Sequence, residues 1–259
     1  MKTVNFKYQT KLAFPSPVFE HHFSLKILPQ NDGRQHIKKL SSHIEPLGVI
    51  WNAKDGFDNA VLCGHIEFPH EHFSFGVQGT AEVSDEPYVQ CREPERILLY
   101  PSELTKPDNK LIDLHKEIES SAPSDTLQRV QHFAHAVHTR ICYERGATTN
   151  TSTASEAFSI GAGVCQDYAH ILLSLLRQSG IHCRYVAGLA SDYGETHAWV
   201  EAWIAGRYLG IDPTRDKLID EGYIAISRGR DFEDASVERG VFKGSCTGIQ
   251  TIELSMEIR

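Results

Sequence analysis

The spacing of apolar residues changes along the 259-residue chain, and this change constrains the fold more than any other feature. Up to about residue 85, apolar and polar residues alternate, as at Val4, Phe6 and Tyr8, which is typical of half-buried strands. From Ser124 onward apolar residues recur at three- and four-residue steps, which is typical of helices, and strands return from Cys183. The spacing therefore predicts an α+β fold in which a strand-rich region comes first.

Polar, proline-containing segments near residue 100 separate these two regions. They are residues 100–102 (YPS) and 106–109 (KPDN), a composition typical of connections. The short strands before them, with turn residues between, predict a small β-sandwich. We therefore predict an N-terminal β-sandwich domain over residues 1–100 and a second domain over residues 101–259.

Local signals predict where helices and turns lie in the second region. Ser124 or Asp125 can cap its first helix, and residues 153–156 (TASE) form a capping-box pattern before another. Gly180 follows a third helical stripe, and a glycine at that position ends a helix. Residues 205–206 (AG) predict a tight turn that joins two of the later strands.

The charge balance and the lengths of the apolar runs restrict the partners. The chain has 26 Lys and Arg against 34 Asp and Glu, a formal net charge of −8 with His neutral, so we expect no nucleic-acid partner. Apolar runs such as residues 171–176 fall far short of the ~20 residues that span a bilayer, so we expect no membrane partner. The N-terminal residues lack the continuous apolar segment of a secretory signal, which predicts a cytoplasmic location.

Cysteine and histidine spacings predict neither a metal site nor a cofactor. No two cysteines form a CxxC pair, and the HExxH pattern is absent. His132, His135 and His138 recur every three residues, so the first and last diverge by about 120° on a helix, which disfavours a shared metal site. We expect reduced thiols, with Cys142 and Cys183 packed among apolar neighbours. The six cysteines are Cys63, Cys91, Cys142, Cys165, Cys183 and Cys246.

A flexible turn delivers one of these cysteines to the start of a helix. Residues 161–164 (GAGV) precede Cys165, and the helical pattern continues from Gln166. The free N–H groups and the dipole of a helix N-terminus stabilise a thiolate, which is the nucleophilic form of cysteine. The same groups can donate to an oxyanion that develops on a substrate. Cys165 is therefore the predicted nucleophile, and Val164 is a candidate for the oxyanion or substrate site.

A cysteine nucleophile needs a base that a third group holds in orientation. His197 opens a predicted strand, and Asp212 ends the next one. The tight turn between them places Asp212 within about two positions of the residue opposite His197, inside the reach of side chains on one sheet face. Cys165, His197 and Asp212 thus form a predicted triad. Tyr143 is a further candidate for the oxyanion or substrate site, and an ordinary structural tyrosine is the alternative.

Several segments resemble bacterial transglutaminase-like proteins. The resemblance lies in motifs around the three triad residues and extends to the strand-rich N-terminal region. It implies a papain-like, transglutaminase-like catalytic core over residues 101–259, with Cys165 as nucleophile, His197 as base and Asp212 as its orienting partner. The motif segments are residues 143–149 (YERGATT), 163–170 (GVCQDYAH), 180–188 (GIHCRYVAG), 197–203 (HAWVEAW), 212–214 (DPT) and 229–234 (GRDFED).

The triad predicts a thiol enzyme that acts on carboxamides, with a peptide or protein as substrate. The sulphur attacks the carbonyl carbon of a peptide, isopeptide or glutamine amide and leaves a thioester. Water as the acceptor gives a protease or amidase, which is our first hypothesis, and an amine as the acceptor gives a transamidase. The third hypothesis is a binding or scaffolding module whose triad is inactive. The sequence leaves the oligomeric state open.

Overall fold

Strands make up most of the structure, a computed structural model that describes residues 1–89, 93–191 and 194–259. Cys91, one of the cysteines predicted to be reduced, lies outside the described residues. The strands are β1 (Lys2–Leu25), β2 (Gln35–Glu45), β3 (Val49–Lys54), β4 (Ala60–Ile66), β5 (His70–Val83), β6 (Tyr88–Val89), β7 (Cys142–Tyr143), β8 (Ala162–Gly163), β9 (Cys183–Ala190), β10 (His197–Ile204), β11 (Arg207–Asp212), β12 (Lys217–Leu218), β13 (Tyr223–Gly229), β14 (Glu238–Lys243) and β15 (Ile249–Ile258). The helices are α1 (Asn109–Glu119), α2 (Thr126–Arg140), α3 (Ala154–Ile160), α4 (Cys165–Gln178) and α5 (Phe232–Ala235).

The alternating N-terminal residues form an antiparallel sheet in the order β2-β5-β1-β4-β3. The long strand β1 serves both halves of this sheet, because its first part pairs with β5 and its last part with β4. The pairing with β5 is irregular between Ala13 and Val18, a stretch that contains two prolines, whose nitrogen atoms cannot donate to a ladder. Val4, Phe6 and Tyr8 point inward and are buried, as their alternation predicts.

The last two strands of the chain join this N-terminal sheet. β15 pairs with the first part of β1, and β14 pairs with its last part. Alternation at Ile252, Leu254 and Met256 predicts the strand, but the choice of partner depends on a contact across most of the chain, which alternation does not encode. The pairing differs from the predicted division, which placed all of residues 101–259 in the second domain. For the rest of the chain, the boundary near residue 100 stays a prediction.

A second antiparallel sheet carries two of the predicted site residues, in the order β12-β11-β10-β9-β13, with β6 paired to β11. β10 and β11 form a hairpin through Ala205 (φ 49°) and Gly206 (φ 83°), the two positive φ angles of a tight hairpin turn. Val200 lies opposite Ile211, which is the register that this turn predicts. The hairpin therefore brings the start of β10 close to the end of β11.

Helix α4 packs across one face of the second sheet, against β9 and β10. Its residues from Gln166 to Arg177 are buried. Gly180 has a φ of 72° and ends the helix, as predicted. The N–H groups of Gly180 and Ile181 donate at 3.0 Å to the carbonyls of Arg177 and Leu176, which satisfies two of the last carbonyls of the helix.

The sequence predicts two of the other helices, α2 and α3, and misses α1 and the short α5. Asp125 caps α2, and Thr153 forms a capping box with Glu156 at the start of α3, as predicted. Helix α1 lies just after the segment that we expected to be a polar connection. Asp108 there accepts a hydrogen bond from the N–H of Leu111 at 2.9 Å, so the residue that indicates a turn is a helix cap.

The opposite face of the second sheet packs on the N-terminal sheet. Leu189, Ile224 and Ile226 from β9 and β13 belong to the same buried cluster as Phe73 and Phe75 of β5. The second sheet thus has helices on one side and strands on the other. This is the α+β arrangement that the change in the spacing of apolar residues along the chain predicts.

The five described cysteines are free thiols. Cys183 is buried, as predicted, but the prediction for Cys142 is wrong, because Cys142 lies on the two-residue strand β7 and is exposed. Over the described ranges, no group of three or more potential metal ligands occurs, and no helix is long and apolar enough to cross a membrane. The cytoplasmic location and the lack of a nucleic-acid partner stay predictions.

Candidate active site

The turn before α4 brings Cys165 to the helix N-terminus. β7 and β8 pair in parallel just before it and hold the incoming chain. A Cβ atom on Gly163 would lie 2.5 Å from Oδ2 of Asp167, so glycine is needed there for the carboxylate to reach back over the turn. Cys165 itself is partly exposed. The glycine-containing motif therefore builds a helix start that presents a sulphur atom to a cleft.

Asp167 caps α4 from within its first turn. Its Oδ2 accepts hydrogen bonds from the N–H of Val164 and the hydroxyl of Thr148, each at 2.7 Å. The backbone donor of Val164 is therefore engaged, but Val164 lines the cavity beside Cys165, so its place in the oxyanion or substrate site stays a prediction. Burial raises the pKa of Asp167, and the two hydrogen bonds oppose the rise.

His197 and Asp212 meet at the open end of the β10–β11 hairpin. His197 is the first residue of β10, and Asp212 is the last residue of β11. Nε2 of His197 lies 2.7 Å from Oδ2 of Asp212, and both side chains are fully buried. An ionised carboxylate only accepts hydrogen bonds, so Nε2 carries the proton. The hairpin thus brings together the two residues that sequence analysis pairs.

The surroundings of His197 favour its charged form. Burial by itself lowers the pKa of His197, but hydrogen bonds and negative charge from Asp212 and Cys165 outweigh burial and raise this pKa to about 9. Burial raises the pKa of Asp212, but the contacts with His197 and Tyr223 outweigh it, so the pKa of Asp212 is lowered overall. Cys165 and Asp212 therefore act on the same imidazole, as a relay of thiol, base and carboxylate requires.

Three further donors hold the carboxylate of Asp212. Oδ1 accepts from the N–H groups of Thr214 at 2.9 Å and Arg215 at 3.3 Å. Oδ2 accepts from the phenol of Tyr223 at 2.8 Å. Tyr223 begins β13 at the far edge of the sheet, and no spacing in the sequence connects it to Asp212. Sequence analysis therefore misses this contact.

Cys165 and His197 line one cavity of about 190 Å³. Aromatic side chains form part of its wall, among them Tyr185 and Phe232. Tyr143, the other candidate for the oxyanion or substrate site, also lines the cavity and is 43% exposed. Sequence analysis does not identify Phe232 as a lining residue, although Phe232 lies within the motif at residues 229–234.

A charged pair lies among the residues that line this cavity. Nη1 of Arg145 donates to Oε1 of Glu195 at 3.0 Å, and these side chains are 64% and 49% exposed. The charge of Glu195, followed by the contact with Tyr143, raises the pKa of Arg145. An ion pair this exposed adds little stability, because water screens it. Its position gives the cavity a polar, solvent-accessible rim.

Other polar residues of the motifs hold the cavity wall in place. His170 is fully buried, and its Nε2 accepts from the N–H of Phe232 at 3.1 Å. Burial, followed by the charge of Arg177, lowers the pKa of His170 to about 3, so this imidazole stays neutral and can accept that bond. Asp234, within α5, pairs at 2.6 Å with Arg230, which precedes that helix. These contacts fix α5 and thereby Phe232.

Two segments of the chain match known families. Residues 112–213 match the transglutaminase-like superfamily. Residues 4–82 match the bacterial transglutaminase-like N-terminal region. The first segment contains Cys165, His197 and Asp212, and the second covers most of the N-terminal sheet.

Relatives match over the length of the chain. An uncharacterised protein of Mycobacterium leprae is 30% identical over 273 residues, which covers 97% of this chain and 96% of the relative. An uncharacterised protein of Mycobacterium tuberculosis is 30% identical over 251 residues, which covers 83% of this chain and 79% of the relative. The crystal structure of a proposed cysteine protease from Cytophaga hutchinsonii shares the fold with a TM-score of 0.80 at 21% identity, over 99% of this chain and 91% of the other. The predicted papain-like, transglutaminase-like fold is thereby confirmed. This chain belongs to the transglutaminase-like superfamily and carries the bacterial N-terminal region of that superfamily.

Proposed function

We propose that this protein is a thiol hydrolase that cleaves carboxamides through Cys165, His197 and Asp212. One observation carries the proposal: the buried imidazole of His197 is bonded to Asp212 at 2.7 Å and also interacts with Cys165 at the start of α4. A nucleophile, a base and an orienting group in contact are the elements of covalent catalysis by cysteine. Membership of the transglutaminase-like superfamily agrees with this reading.

The first step is transfer of the thiol proton of Cys165 to His197. The pKa of His197, raised to about 9, keeps the imidazole protonated at neutral pH once it has taken that proton. The result is a thiolate–imidazolium pair, in which the N-terminal dipole of α4 also favours the negative sulphur. Asp212 accepts from Nε2, so it fixes the ring and stabilises its positive charge.

The sulphur then attacks the carbonyl carbon of the amide, and the carbonyl electron pair moves to oxygen. When the tetrahedral intermediate collapses, the carbon–nitrogen bond breaks, His197 protonates the leaving amine, and a thioester on Cys165 remains. Water attacks the thioester, with His197 as the base. The acid product leaves, and Cys165 regains its proton.

The oxyanion needs donors close to the sulphur atom. The N–H of Cys165 is a first-turn group that has no acceptor within the helix, and it is our candidate for the first donor, because the N–H of Val164 is bonded to Asp167. Tyr143 lines the same cavity and is our candidate for the second donor. Its phenol can reach toward a substrate because the side chain is 43% exposed.

The size of the cavity indicates the class of substrate. At about 190 Å³ it is smaller than the ~300 Å³ at which pockets for whole small molecules begin. It has room for one side chain or one short acyl segment, so the remainder of the substrate lies outside. A peptide or protein substrate fits this description, with the scissile amide next to Cys165.

Access of water favours hydrolysis over transamidation. A transamidase has to exclude water while it admits an amine. Here Cys165 is partly exposed, and Arg145 and Glu195 are solvent-accessible residues of the cavity. Water can therefore reach the thioester from the rim.

A glutamine-containing peptide incubated with a labelled primary amine tests the proposal. We expect release of ammonia or of a shorter peptide to be faster than incorporation of the label, and the Cys165→Ser variant to lose both reactions. Cys142→Ser is the matched control, because Cys142 is an exposed thiol outside the cavity. Incorporation that outpaces release would identify a transamidase. If the wild type releases product and incorporates the label no faster than Cys165→Ser does, the binding module is favoured.

A further inference from the structure

The strand that carries Tyr223 lies at an edge of the second sheet, yet its outer backbone groups are paired. β13 has β9 on one side only. On the other side, the amide of Gln35 both donates to the carbonyl of Ala225 at 2.8 Å and accepts from its N–H at 2.9 Å. Asn59 makes the same two contacts with Arg228, at 2.7 and 2.8 Å. Two side-chain amides of the N-terminal region therefore replace a neighbouring strand.

Arg34 adds a third clamp at the beginning of β13. Its guanidinium is 2% exposed and donates to the carbonyl of Tyr223. It also donates to the carbonyls of Asp220 at 3.0 Å and Ser84 at 3.1 Å. Ser84 directly follows β5 of the N-terminal sheet, and Asp220 precedes β13. Arg34 thus joins the N-terminal sheet to the turn that places Tyr223.

The side chain of Tyr223 completes the connection to the candidate active site. Its phenol donates to Oδ2 of Asp212 at 2.8 Å, the same oxygen that accepts from Nε2 of His197 at 2.7 Å. Tyr223 is fully buried, and burial, followed by the charge of Asp212, raises its pKa well above the usual value, so it remains a donor. A carboxylate oxygen held by a fixed phenol cannot rotate away from the imidazole.

We propose that Tyr223 is a positioning residue for Asp212 and that Arg34 of the N-terminal region sets the position of Tyr223. The N-terminal domain is then part of the machinery of the site, because it holds the carboxylate of the triad through β13. This inference rests on the proposed function for its catalytic meaning. The chain of contacts from Arg34 to His197 has a readout of its own, which is the protonation of His197.

The test is an NMR titration of the His197 ring in the full chain, with the signal assigned as the one that His197→Gln removes. In the wild type we expect a pKa of about 9 for His197. In Tyr223→Phe, Oδ2 of Asp212 loses the phenol that fixes it beside the imidazole, while Thr214 and Arg215 still hold Oδ1. We therefore expect that pKa to fall by about one pH unit, the scale of one lost hydrogen bond to a charged group. Tyr8→Phe removes another buried phenol, one that contacts Thr10, and should leave the titration unchanged.

Arg34→Met should lower the pKa of His197 in the same direction, whereas Asn59→Ala, which releases β13 at its other end, should not. If Arg34→Met fails to fold, Arg34→Lys keeps a cation but lacks the planar guanidinium whose separate nitrogens reach the three carbonyls, and it should give a smaller fall. A Tyr223→Phe titration equal to that of Tyr8→Phe would overturn the proposal. So would equal shifts in Arg34→Met and Asn59→Ala, because they would indicate general loosening of β13.

Peptide hydrolysis, measured with the same variants, separates the two proposals. If His197 responds to Tyr223→Phe but the wild type hydrolyses no amide, the proposed function fails and the positioning role stands. If hydrolysis depends on Cys165 but Tyr223→Phe moves neither the pKa of His197 nor the basic limb of the pH–rate profile, the positioning role fails alone. If both proposals are correct, the basic limb of the pH–rate profile moves to lower pH in Tyr223→Phe.

Discussion

Two regions around α4 and the second sheet each contain a buried histidine and a cysteine, but their charged neighbours have opposite signs. The site region consists of Cys165, His197 and Asp212, and the Arg177 region consists of His170, Arg177 and Cys183. Burial acts in the same direction on the two histidines, lowering the pKa of each. A carboxylate lies beside the first, and a guanidinium acts on the second. The comparison therefore isolates the effect of the neighbouring charge.

The pKa values of the two histidines differ widely as a result. In the site region, Asp212 and Cys165 outweigh burial and raise the pKa of His197 to about 9. In the Arg177 region, the cation adds to the effect of burial and the pKa of His170 falls to about 3. Burial also raises the pKa of Cys183 to about 11, despite the opposing effect of Arg177. The sign of the neighbouring charge thus decides which of the two buried histidines is protonated, whereas burial keeps Cys183 a thiol although a cation lies beside it.

The largest expected effect comes from removing one sulphur from each region. Cys165→Ser should reduce amide hydrolysis by about 10⁴-fold or more, because the nucleophile is lost and the triad acts as a unit. Cys183→Ala should leave the rate near that of the wild type, since its thiol is buried and protonated. Product release from a peptide, followed by chromatography, measures both. A Cys165→Ser variant that retains most of the activity would contradict the role of Cys165 as the nucleophile.

Replacing the carboxylate tests the neighbouring charge itself. Asp212→Asn keeps the size of the side chain but removes its charge, so we expect hydrolysis to fall by about 10²- to 10⁴-fold. The pKa of His197 should fall below 9 in the same variant, because the group that opposes burial is gone. Enzyme kinetics measure the hydrolysis rate, and an NMR titration of the ring protons measures the pKa of His197. If Asp212→Asn lowers the pKa of His197 but hydrolyses the amide at the wild-type rate, catalysis does not need the charge of Asp212.

The two histidines should contribute to stability at opposite ends of the pH range. The pKa of His197 is raised, so its contribution is present below its unfolded value of 6.5 and is lost as pH rises toward about 9. The pKa of His170 is lowered, so its contribution is present above 6.5 and is lost as pH falls toward about 3.

By linkage the contribution is on the order of 3 kcal/mol for His197 and on the order of 5 kcal/mol for His170. Unfolding by urea at a series of pH values measures it in the wild type, His197→Gln and His170→Gln. We expect the alkaline loss to be reduced in the first variant and the acid loss in the second. If His197→Gln reduced the acid loss and His170→Gln the alkaline loss, the charges that we give to the two regions would be contradicted.

A smaller effect distinguishes the carboxylate of the triad from another one nearby. Asp167→Asn can still accept from the N–H of Val164, so we expect a loss of about 1 kcal/mol of stability. Hydrolysis should change by no more than about threefold, because Asp167 caps the helix and is not bonded to His197. If Asp167→Asn were as inactive as Asp212→Asn, hydrolysis would depend on both carboxylates, and the bond to His197 would not distinguish Asp212.

Sequence reasoning succeeds for this site where neighbours along the chain decide the structure. The glycines at 161 and 163 and the helix that follows place Cys165, and a two-residue turn sets the register that joins His197 to Asp212. Both depend on backbone geometry within a few residues. The alternating strands of the N-terminal region follow from the same kind of local rule.

Contacts between distant segments escaped prediction, and so did two hydrogen bonds within single helical turns. Tyr223 reaches Asp212 from the opposite edge of the sheet, and β15 pairs with β1 from the other end of the chain. Asp167 takes the N–H of Val164, a competition that spacing does not reveal. Asp108 caps a helix where a proline and polar neighbours indicate a turn. In each case a strand or a side chain has several available partners, and the choice among them depends on the folded structure.

The proposal depends on proton transfer from Cys165 to His197, and alkylation at about pH 6 tests that transfer, because only the thiolate reacts with iodoacetamide. The wild type is treated briefly, and labelling of each cysteine is followed by peptide mass spectrometry. We predict that Cys165 reacts much faster than the more exposed Cys142, that Cys183 stays unlabelled, and that Asp212→Asn slows only Cys165. Labelling of Cys142 ahead of Cys165 in the folded wild type would contradict the proposed transfer.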